Sequence, residues 1–160
     1  MTISRRSFLN AVLAAVAAAP FSARAADSER VDYTGPDDVA AYDRFVKEQS
    51  VGAVVVNVFH ATWCGPCRAL FGQLDDISRQ PGVTLKVIGL DVGPPDFPKG
   101  PYKNIIAAHQ VKGTPQLEIF AGGKFQHKMM GSLQDVGDTT RYLQQLTRVV
   151  HGRSLAAPKP

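Results

Sequence analysis

Hydrophobic residues along this chain recur with two different periods, and these periods predict its secondary structure. Residues 37–49 place Val39, Tyr42 and Val46 at helical spacing, which predicts an amphipathic helix. Residues 53–60 are almost continuously apolar, which is typical of a strand that is covered on both faces. The same two patterns predict, in order, a helix from Pro66 to the turn at Pro81-Gly82, a strand over 83–92, a helix over 102–110, strands over 116–121 and 124–130, and a helix over 133–150.

The order of these elements, α-β-α-β-α-β-β-α, predicts a three-layer α/β fold. The first two strands are joined through a helix, so they should be parallel. Gly122-Gly123 is a two-residue hairpin signal, so the last two strands should be antiparallel. We therefore expect a mixed central sheet with helices on both faces, formed by one domain over residues 37–150. An N-terminal extension over 26–36 should precede this domain, and a flexible tail over 151–160 should follow it.

The first 25 residues have the pattern of an export signal. Arg5-Arg6 precedes a short alanine-rich run, and Ala23-Arg24-Ala25 resembles a cleavage site for a signal peptidase. The run is shorter than the roughly 18 apolar residues that suggest a membrane span. Paired arginines in this position resemble the twin-arginine signal of bacteria. We expect cleavage after Ala25 and a periplasmic product that keeps no membrane span.

The positive charge of the chain lies mostly in that signal. The full sequence has a net charge of +4, but residues 1–25 contain three arginines and no acid. The rest of the chain holds 15 basic and 14 acidic residues, without a cluster of lysines or arginines among aromatic residues. This composition does not favour a nucleic-acid partner.

Only two cysteines occur in the 160 residues, and they lie in the motif Trp63-Cys64-Gly65-Pro66-Cys67 between a predicted strand and a predicted helix. The first thiol sits at the helix N-terminus, where free N–H groups and the helix dipole favour the thiolate. The second thiol lies one turn inside the helix and can form a disulfide with the first. A disulfide that closes so short a loop stabilises a fold little, so a redox role is favoured over a structural one.

With these features the chain resembles the thioredoxin family over residues 37–150. The resemblance rests on the Trp63–Cys67 motif, on Gly113-Thr114-Pro115 at the start of the next-to-last strand, and on the glycine hairpin with its closing helix. It implies a thioredoxin-like fold in which Pro115 follows a cis peptide bond and lies against the cysteine pair. The proline motif alone would be a weak signal. Its place at a strand start, about fifty residues after the cysteine motif, makes the two motifs together specific for the family.

The resemblance also implies roles for the motif residues. Cys64 resembles the attacking thiolate and Cys67 the resolving thiol, so the disulfide between them would be the only redox group and no further cofactor is expected. Trp63 would flank the thiolate, and Thr114 and Pro115 would bind the extended chain of a partner through backbone hydrogen bonds. The intervening dipeptide, Gly65 and Pro66, implies a reducing couple.

The sequence departs from the family at the positions that assist the second thiol. The family's buried carboxylate would fall at Val58 and its lysine partner near Val87, and both are apolar here. His60 stands where the family usually has an aromatic residue, and Thr62 where it is often acidic. Water or His60 could therefore accept the proton of Cys67, and we hypothesise that His60 modulates the pair. A partly exposed histidine at the strand end, without a functional role, is the alternative.

A copper-handling protein of thioredoxin-like fold is the alternative function. His60, Cys64 and Cys67 would supply one imidazole and two thiolate ligands, but the helix start orients the thiols for a disulfide and no fourth ligand is visible. A redox-inert binding domain would need neither cysteine. We interpret His109 as a cation at a helix end and His127 as a solvent-facing strand residue, and assign neither to a metal site.

These observations favour a periplasmic thiol–disulfide oxidoreductase that acts on protein disulfides as a reductant. The periplasm is kept oxidising, so a reductant there needs electrons from across the membrane. A membrane thiol carrier is therefore the expected electron donor, and protein thiols and disulfides are the expected substrates.

Overall fold

Five strands and four helices make up the described part of the chain, residues 29–95 and 100–154, in a computed structural model. In chain order they are β1 (Glu29–Asp32), α1 (Val39–Gln49), β2 (Val54–His60), α2 (Gly65–Ser78), β3 (Leu85–Asp91), α3 (Lys103–Ala108), β4 (Gln116–Ala121), β5 (Lys124–Met130) and α4 (Val136–Ser154). The expected export signal lies outside the described residues. No helix within the described ranges is long and apolar enough to cross a membrane.

The strands form one mixed sheet in the order β1-β3-β2-β4-β5. β2 and β3 are parallel, whereas β4 pairs antiparallel with both β2 and β5. The predicted α/β class and the predicted strand directions are therefore confirmed. The tight turn between β4 and β5 needs glycine, because Gly122 and Gly123 both have positive φ angles, of 58° and 73°.

The ends of the chain differ from the prediction. β1 lies inside the expected N-terminal extension, where no strand was predicted, and it pairs in parallel with β3 at the sheet edge. Its sequence Glu-Arg-Val-Asp has a single apolar side chain, because an edge strand outside the core gains its stability from backbone pairing rather than burial. α4 continues to Ser154, four residues beyond the predicted end. Residues 155–160 of the expected tail lie outside the described part.

Two hydrophobic cores lie on opposite faces of the sheet, because side chains alternate along β2. Val54, Val56 and Val58 face α2 and α4, where they pack with leucines such as Leu70 and Leu143. On the other face, side chains of β2 pack with α1 and α3; this core contains Val55, Phe59, Tyr42, Ile105 and both cysteines. The cysteine motif comes shortly after β2 in the sequence, and all seven residues of β2 are buried.

Candidate functional site

The two cysteines form a disulfide at the start of α2. The Cys64–Cys67 S–S distance is 2.06 Å, and both residues are buried, with 3% and 1% exposure. Cys64 is the N-cap of α2, and its Sγ accepts the backbone N–H of Cys67 at 3.2 Å. Pro66 lies in the first turn of the helix, where its missing N–H costs no hydrogen bond. After reduction, the same N–H and the helix dipole would stabilise a thiolate on Cys64.

Trp63 is held beside the disulfide by the loop that follows β3. Its indole Nε1 donates to the carbonyl oxygen of Gly93 at 2.7 Å, while 46% of the residue stays exposed. A large aromatic side chain with one fixed end and an exposed ring can contact an incoming partner with little loss of its own conformational freedom. The expected role of Trp63 beside the attacking thiolate stays a prediction.

Thr114 and Pro115 stand at the same end of the sheet as the disulfide. The Thr114–Pro115 peptide bond is cis, as the family resemblance implied. β4 begins directly after it, and the register pairs Gln116 of β4 with Phe59 near the end of β2. The carbonyl oxygen of Pro115 accepts the backbone N–H of Gly131 at 2.8 Å, which anchors this loop to the end of β5. The sheet thus brings the two motifs together although about fifty residues separate them in sequence.

Gln116 is a site residue that the sequence did not single out. It is only 1% exposed, and its side chain ties together the loop that leads to the cis bond. Its Nε2 donates to the carbonyl oxygen of His109 at 3.3 Å, and its Oε1 accepts the backbone N–H of Lys112 at 3.4 Å. Gln110, between these two anchors, has a positive φ of 48°, so the loop turns sharply there.

The positions where the family keeps a buried carboxylate and lysine are buried and apolar in this chain. Val58 and Val87 are 0% and 2% exposed, and both belong to the aliphatic core between the sheet, α2 and α4. No charged side chain replaces them at these positions. The chain therefore lacks the usual ionisable neighbour for the resolving thiol at these two sites.

His60 is buried and faces β1 and α2. The Nε2 atom lies 3.9 Å from Asp32 Oδ1 and has no hydrogen-bond partner among the described residues. The imidazole ring packs edge-on against Phe71, with 5.2 Å between ring centroids. Burial, followed by the charge of Arg30, lowers the pKa of His60. Gly89 makes room for this arrangement, because a Cβ there would lie 2.3 Å from Asp32 Oδ1 and 3.0 Å from His60 Nε2. The interpretation of His60 as a partly exposed residue is wrong, whereas its effect on the cysteines stays a prediction.

His109 belongs to a cluster of charged residues between α1, α3, β4 and β5. Its Nδ1 lies 2.9 Å from Glu118 Oε2 and its Nε2 lies 3.1 Å from Asp43 Oδ1. Lys128 Nζ is 3.6 Å from the other oxygen of Glu118 and also donates to the carbonyl oxygen of His109. Burial lowers the pKa of His109, but the hydrogen bond and charge of Glu118, together with Asp43, outweigh it and raise the pKa. His109 does cap the end of α3, but it is a partly buried ion-pair partner rather than a free helix-end cation.

The alternative copper site is not favoured. Within the described residues, no group of three or more His, Cys, Asp or Glu side chains is placed to hold a metal ion. The sulfurs of Cys64 and Cys67 are bonded to each other, and the ring of His60 packs against Phe71. The three proposed ligands therefore do not form a shared site.

Comparisons with known proteins agree with this geometry. A family model described as Thioredoxin matches residues 36–141. The chain is 33% identical over 86 residues to the chloroplastic thioredoxin Y of Oryza sativa subsp. japonica, which is 54% of this chain and 46% of that relative. It is 44% identical over 48 residues to a thioredoxin of Listeria monocytogenes, which is 30% of this chain and 46% of that relative. The chain thus spans about half the length of these curated relatives.

Solved structures agree on the fold. A mutant thioredoxin from Halobacterium salinarum NRC-1 superimposes with a TM-score of 0.56 at 24% identity, covering 76% of this chain and 94% of that one. The oxidised thioredoxin O2 of Arabidopsis thaliana superimposes with a TM-score of 0.54 at 22% identity, covering 75% and 96%.

Proposed function

This chain belongs to the thioredoxin family, and we propose that it exchanges disulfides with partner proteins through Cys64 and Cys67. One observation carries the proposal: Cys64 Sγ caps α2 and accepts the Cys67 N–H at the end of the sheet where the cis Thr114–Pro115 bond stands. A nucleophilic sulfur needs a stabilised thiolate, and a protein substrate needs an adjacent backbone to pair with. Both requirements meet here.

In the first step, the reduced chain attacks with the Cys64 thiolate. A bond forms between Cys64 Sγ and one sulfur of the partner disulfide, and the bond between the two partner sulfurs breaks. The departing partner sulfur leaves as a thiolate and takes up a proton. Thr114 and Pro115 hold the partner's extended chain during this step, and Trp63 borders the approach.

In the second step, Cys67 releases the partner. Its thiol loses a proton, and the resulting thiolate attacks Cys64 Sγ; the mixed disulfide breaks and the second partner sulfur leaves as a thiolate. Two electrons have then passed to the partner, and the chain is left with the Cys64–Cys67 disulfide. Because Val58 is apolar and cannot accept this proton, water or His60 takes it up, and the apolar surroundings keep Cys67 protonated until it attacks.

His60 modulates this proton step. It ends β2, four residues before Cys64, and its lowered pKa keeps the ring neutral near neutral pH. A neutral imidazole can accept a proton, whereas an imidazolium cannot. His60→Ala should therefore change the pH profile of disulfide reduction, and a profile identical to that of the unmodified chain would remove His60 from the mechanism.

We propose the direction and place of the reaction from the sequence outside the described residues and from the Gly65-Pro66 dipeptide. The chain acts as a reductant in the periplasm, is exported by the twin-arginine route, and receives its electrons from a membrane thiol carrier. Arg5→Lys combined with Arg6→Lys should leave the chain in the cytoplasm of a bacterial host. Export that survives this double substitution would refute the route.

Disulfide reduction tests the proposal directly. The purified chain, with dithiothreitol as electron source, should reduce insulin, and Cys64→Ser should abolish the activity. Cys67→Ser should instead accumulate a mixed disulfide, because the first step remains possible without the second. Undiminished activity of Cys64→Ser would refute the proposed enzymatic function.

Equilibration of the purified chain against glutathione measures the reduction potential of the Cys64–Cys67 disulfide, and a value of about −180 mV or above would overturn the reductant assignment.

A further inference from the structure

A pocket lies beside the loop that carries the cis bond. It has a volume of about 320 Å³ and is lined by Gln110, Lys112, Gln116, Lys128, Met129 and Met130. Two contacts join its wall to the loop of residues 109–115 that carries the cis bond (the substrate loop): Gln116 pairs with Met130 across the β4–β5 ladder, and Gly131 donates its N–H to the carbonyl oxygen of Pro115. A partner chain that pairs with Thr114 and Pro115 would therefore pass over the pocket or its rim.

The rim of this pocket is positively charged. Two lysines line it and no acidic side chain does. Lys128 is partly neutralised, because its Nζ lies 3.6 Å from Glu118 Oε1. Lys112 is exposed, and within residues 29–95 and 100–154 its ammonium group makes no ion pair with an acid. Lys112 therefore presents a cation that is free to pair with a ligand.

The remaining wall is apolar and adaptable. Met130 is 55% exposed and Met129 is half-buried against the aliphatic core. Gly113 lets Met130 lie close to the loop, because a Cβ at Gly113 would come within 3.3 Å of Met130 Cε. Thioether side chains are flexible and polarisable, so such a wall accepts apolar groups of varied shape.

We propose that this pocket binds the segment of a protein substrate next to its attacked cysteine, and that it selects segments with an aspartate or glutamate. The proposal rests on the oxidoreductase function proposed above and adds the substrate class. The carboxylate pairs with Lys112 at the rim, and an adjoining apolar side chain of the substrate packs on the exposed thioether of Met130. Charge complementarity of this kind mainly sets which partners are accepted.

Two sets of three peptides test the selection, and the peptides of a set differ at one position. Each contains an intramolecular disulfide, and each carries Glu, Gln or Lys beside the attacked cysteine, on the N-terminal side in one set and on the C-terminal side in a second. Their reduction by the unmodified chain, by Lys112→Glu and by Lys124→Glu is measured as KM and kcat. Lys124 is the matched control, since it is an exposed lysine at the far end of β5 from Met130, and its substitution changes the net charge equally.

The unmodified chain should show the lowest KM for the Glu peptide and the highest for the Lys peptide. The Glu and Gln peptides should differ by about threefold, as for an exposed ion pair, and the difference should shrink at about 0.5 M salt. Lys112→Glu should reverse the order of the three KM values, whereas Lys124→Glu should preserve it. The kcat values at saturation should stay alike, because Lys112 contacts no reacting sulfur.

Equal KM values for all three peptides in both sets, or an unreversed order in Lys112→Glu, would overturn the selection. Glutathione disulfide serves as a small carboxylate-bearing probe. If Lys112→Glu slows the reduction of glutathione disulfide and leaves the order of the peptide KM values intact, the pocket binds small disulfides and the proposal is overturned. If the unmodified chain reduces neither peptides nor insulin, the oxidoreductase function itself fails, and the selection fails with it.

Discussion

The face of the sheet under α2 and α4 is packed mainly with aliphatic side chains, whereas the face under α1 and α3 encloses a charged cluster and a buried hydrogen bond. On the first face, Val54, Val58 and Leu143 are all 0% exposed. On the second face, the carboxylate of Glu118 is buried, with 4% of the residue exposed. The hydroxyl of Tyr42 is also buried, at 0% exposure, and donates a hydrogen bond to Asn57 Oδ1 at 2.6 Å. The first face depends on close packing and the second on satisfied polar partners.

The two faces also support different parts of the site. Cys64 caps α2 and Cys67 lies in its first turn; the cysteines belong to the other core, but the leucines of α2 hold the helix on the aliphatic face. The substrate loop is held from the polar face instead, because Gln116 and Lys128 both donate to the carbonyl oxygen of His109 at the start of that loop. The nucleophile is thus anchored by dispersion and burial, and the substrate-binding backbone by hydrogen bonds and charge.

Removal of the carboxylate at Glu118 should cause the largest loss of stability. Glu118→Ala leaves His109 and Lys128 beside each other without the buried counter-charge, and should lower the free energy of unfolding by about 3–5 kcal/mol. Urea denaturation of the oxidised chain measures the loss. Glu48→Ala is the control, because this exposed glutamate on α1 should matter by no more than about 0.5 kcal/mol. A loss for Glu118→Ala as small as that of the control would show that the cluster stabilises little.

A core truncation on the aliphatic face should cost slightly less and act by another mechanism. Leu143→Ala removes a fully buried side chain from α4 and should lower the free energy of unfolding by about 3 kcal/mol through lost burial and a cavity. Val149→Ala on the same helix, where the valine is 41% exposed, should cost well below half of that. Equal losses for the two α4 variants would contradict the comparison. The pH dependence of stability should be unchanged in Leu143→Ala and altered in Glu118→Ala.

The aliphatic face and the disulfide could be predicted from the sequence because both have local signals. Apolar periodicity predicts the strands and helices, and the motif from Trp63 to Cys67 places the thiols between a strand and a helix. The cis bond before Pro115 was implied by the family resemblance. These features depend on neighbouring residues or on a motif of fixed spacing, so a single amino-acid sequence is enough to recognise them.

The polar face could not be predicted, since its partners meet only in the folded chain. Asp43 and His109 are 66 positions apart, and Glu118 alternates with apolar residues along β4, a pattern that does not reveal which helix covers it. β1 was missed for a related reason: its mostly polar residues pair through the backbone, which leaves no hydrophobic period.

The Tyr42–Asn57 hydrogen bond should have a smaller effect that depends on both partners. Tyr42→Phe leaves the Asn57 side chain without its partner and should lower the free energy of unfolding by about 1–3 kcal/mol. Asn57→Val should be similarly unfavourable, because the buried hydroxyl of Tyr42 loses its acceptor. The double variant should recover part of the loss, since neither polar group then remains buried. Strictly additive losses in the double variant would mean that the hydrogen bond contributes nothing of its own.

The smallest effect should be a pH dependence in which the buried His60 and the partly buried His109 oppose each other. The folded pKa of His109 is raised, so its contribution is fully present below the unfolded value of about 6.5 and is lost as pH rises through the folded pKa. The folded pKa of His60 is lowered, so its contribution is present above about 6.5 and is lost as pH falls towards the folded pKa. Each slope is at most about 1.4 kcal/mol per pH unit for a single proton.

Single substitutions separate the two contributions. His109→Gln should flatten the decline of stability on the alkaline side, and His60→Gln should flatten the decline on the acid side, each measured by urea denaturation between pH 5 and about 8.5. The exposed His127 offers the control, because His127→Gln should leave both limbs unchanged. An alkaline decline that persists in His109→Gln would show that the charged cluster of the polar face does not depend on the His109 proton, and that its stability comes from Glu118 and Lys128 alone.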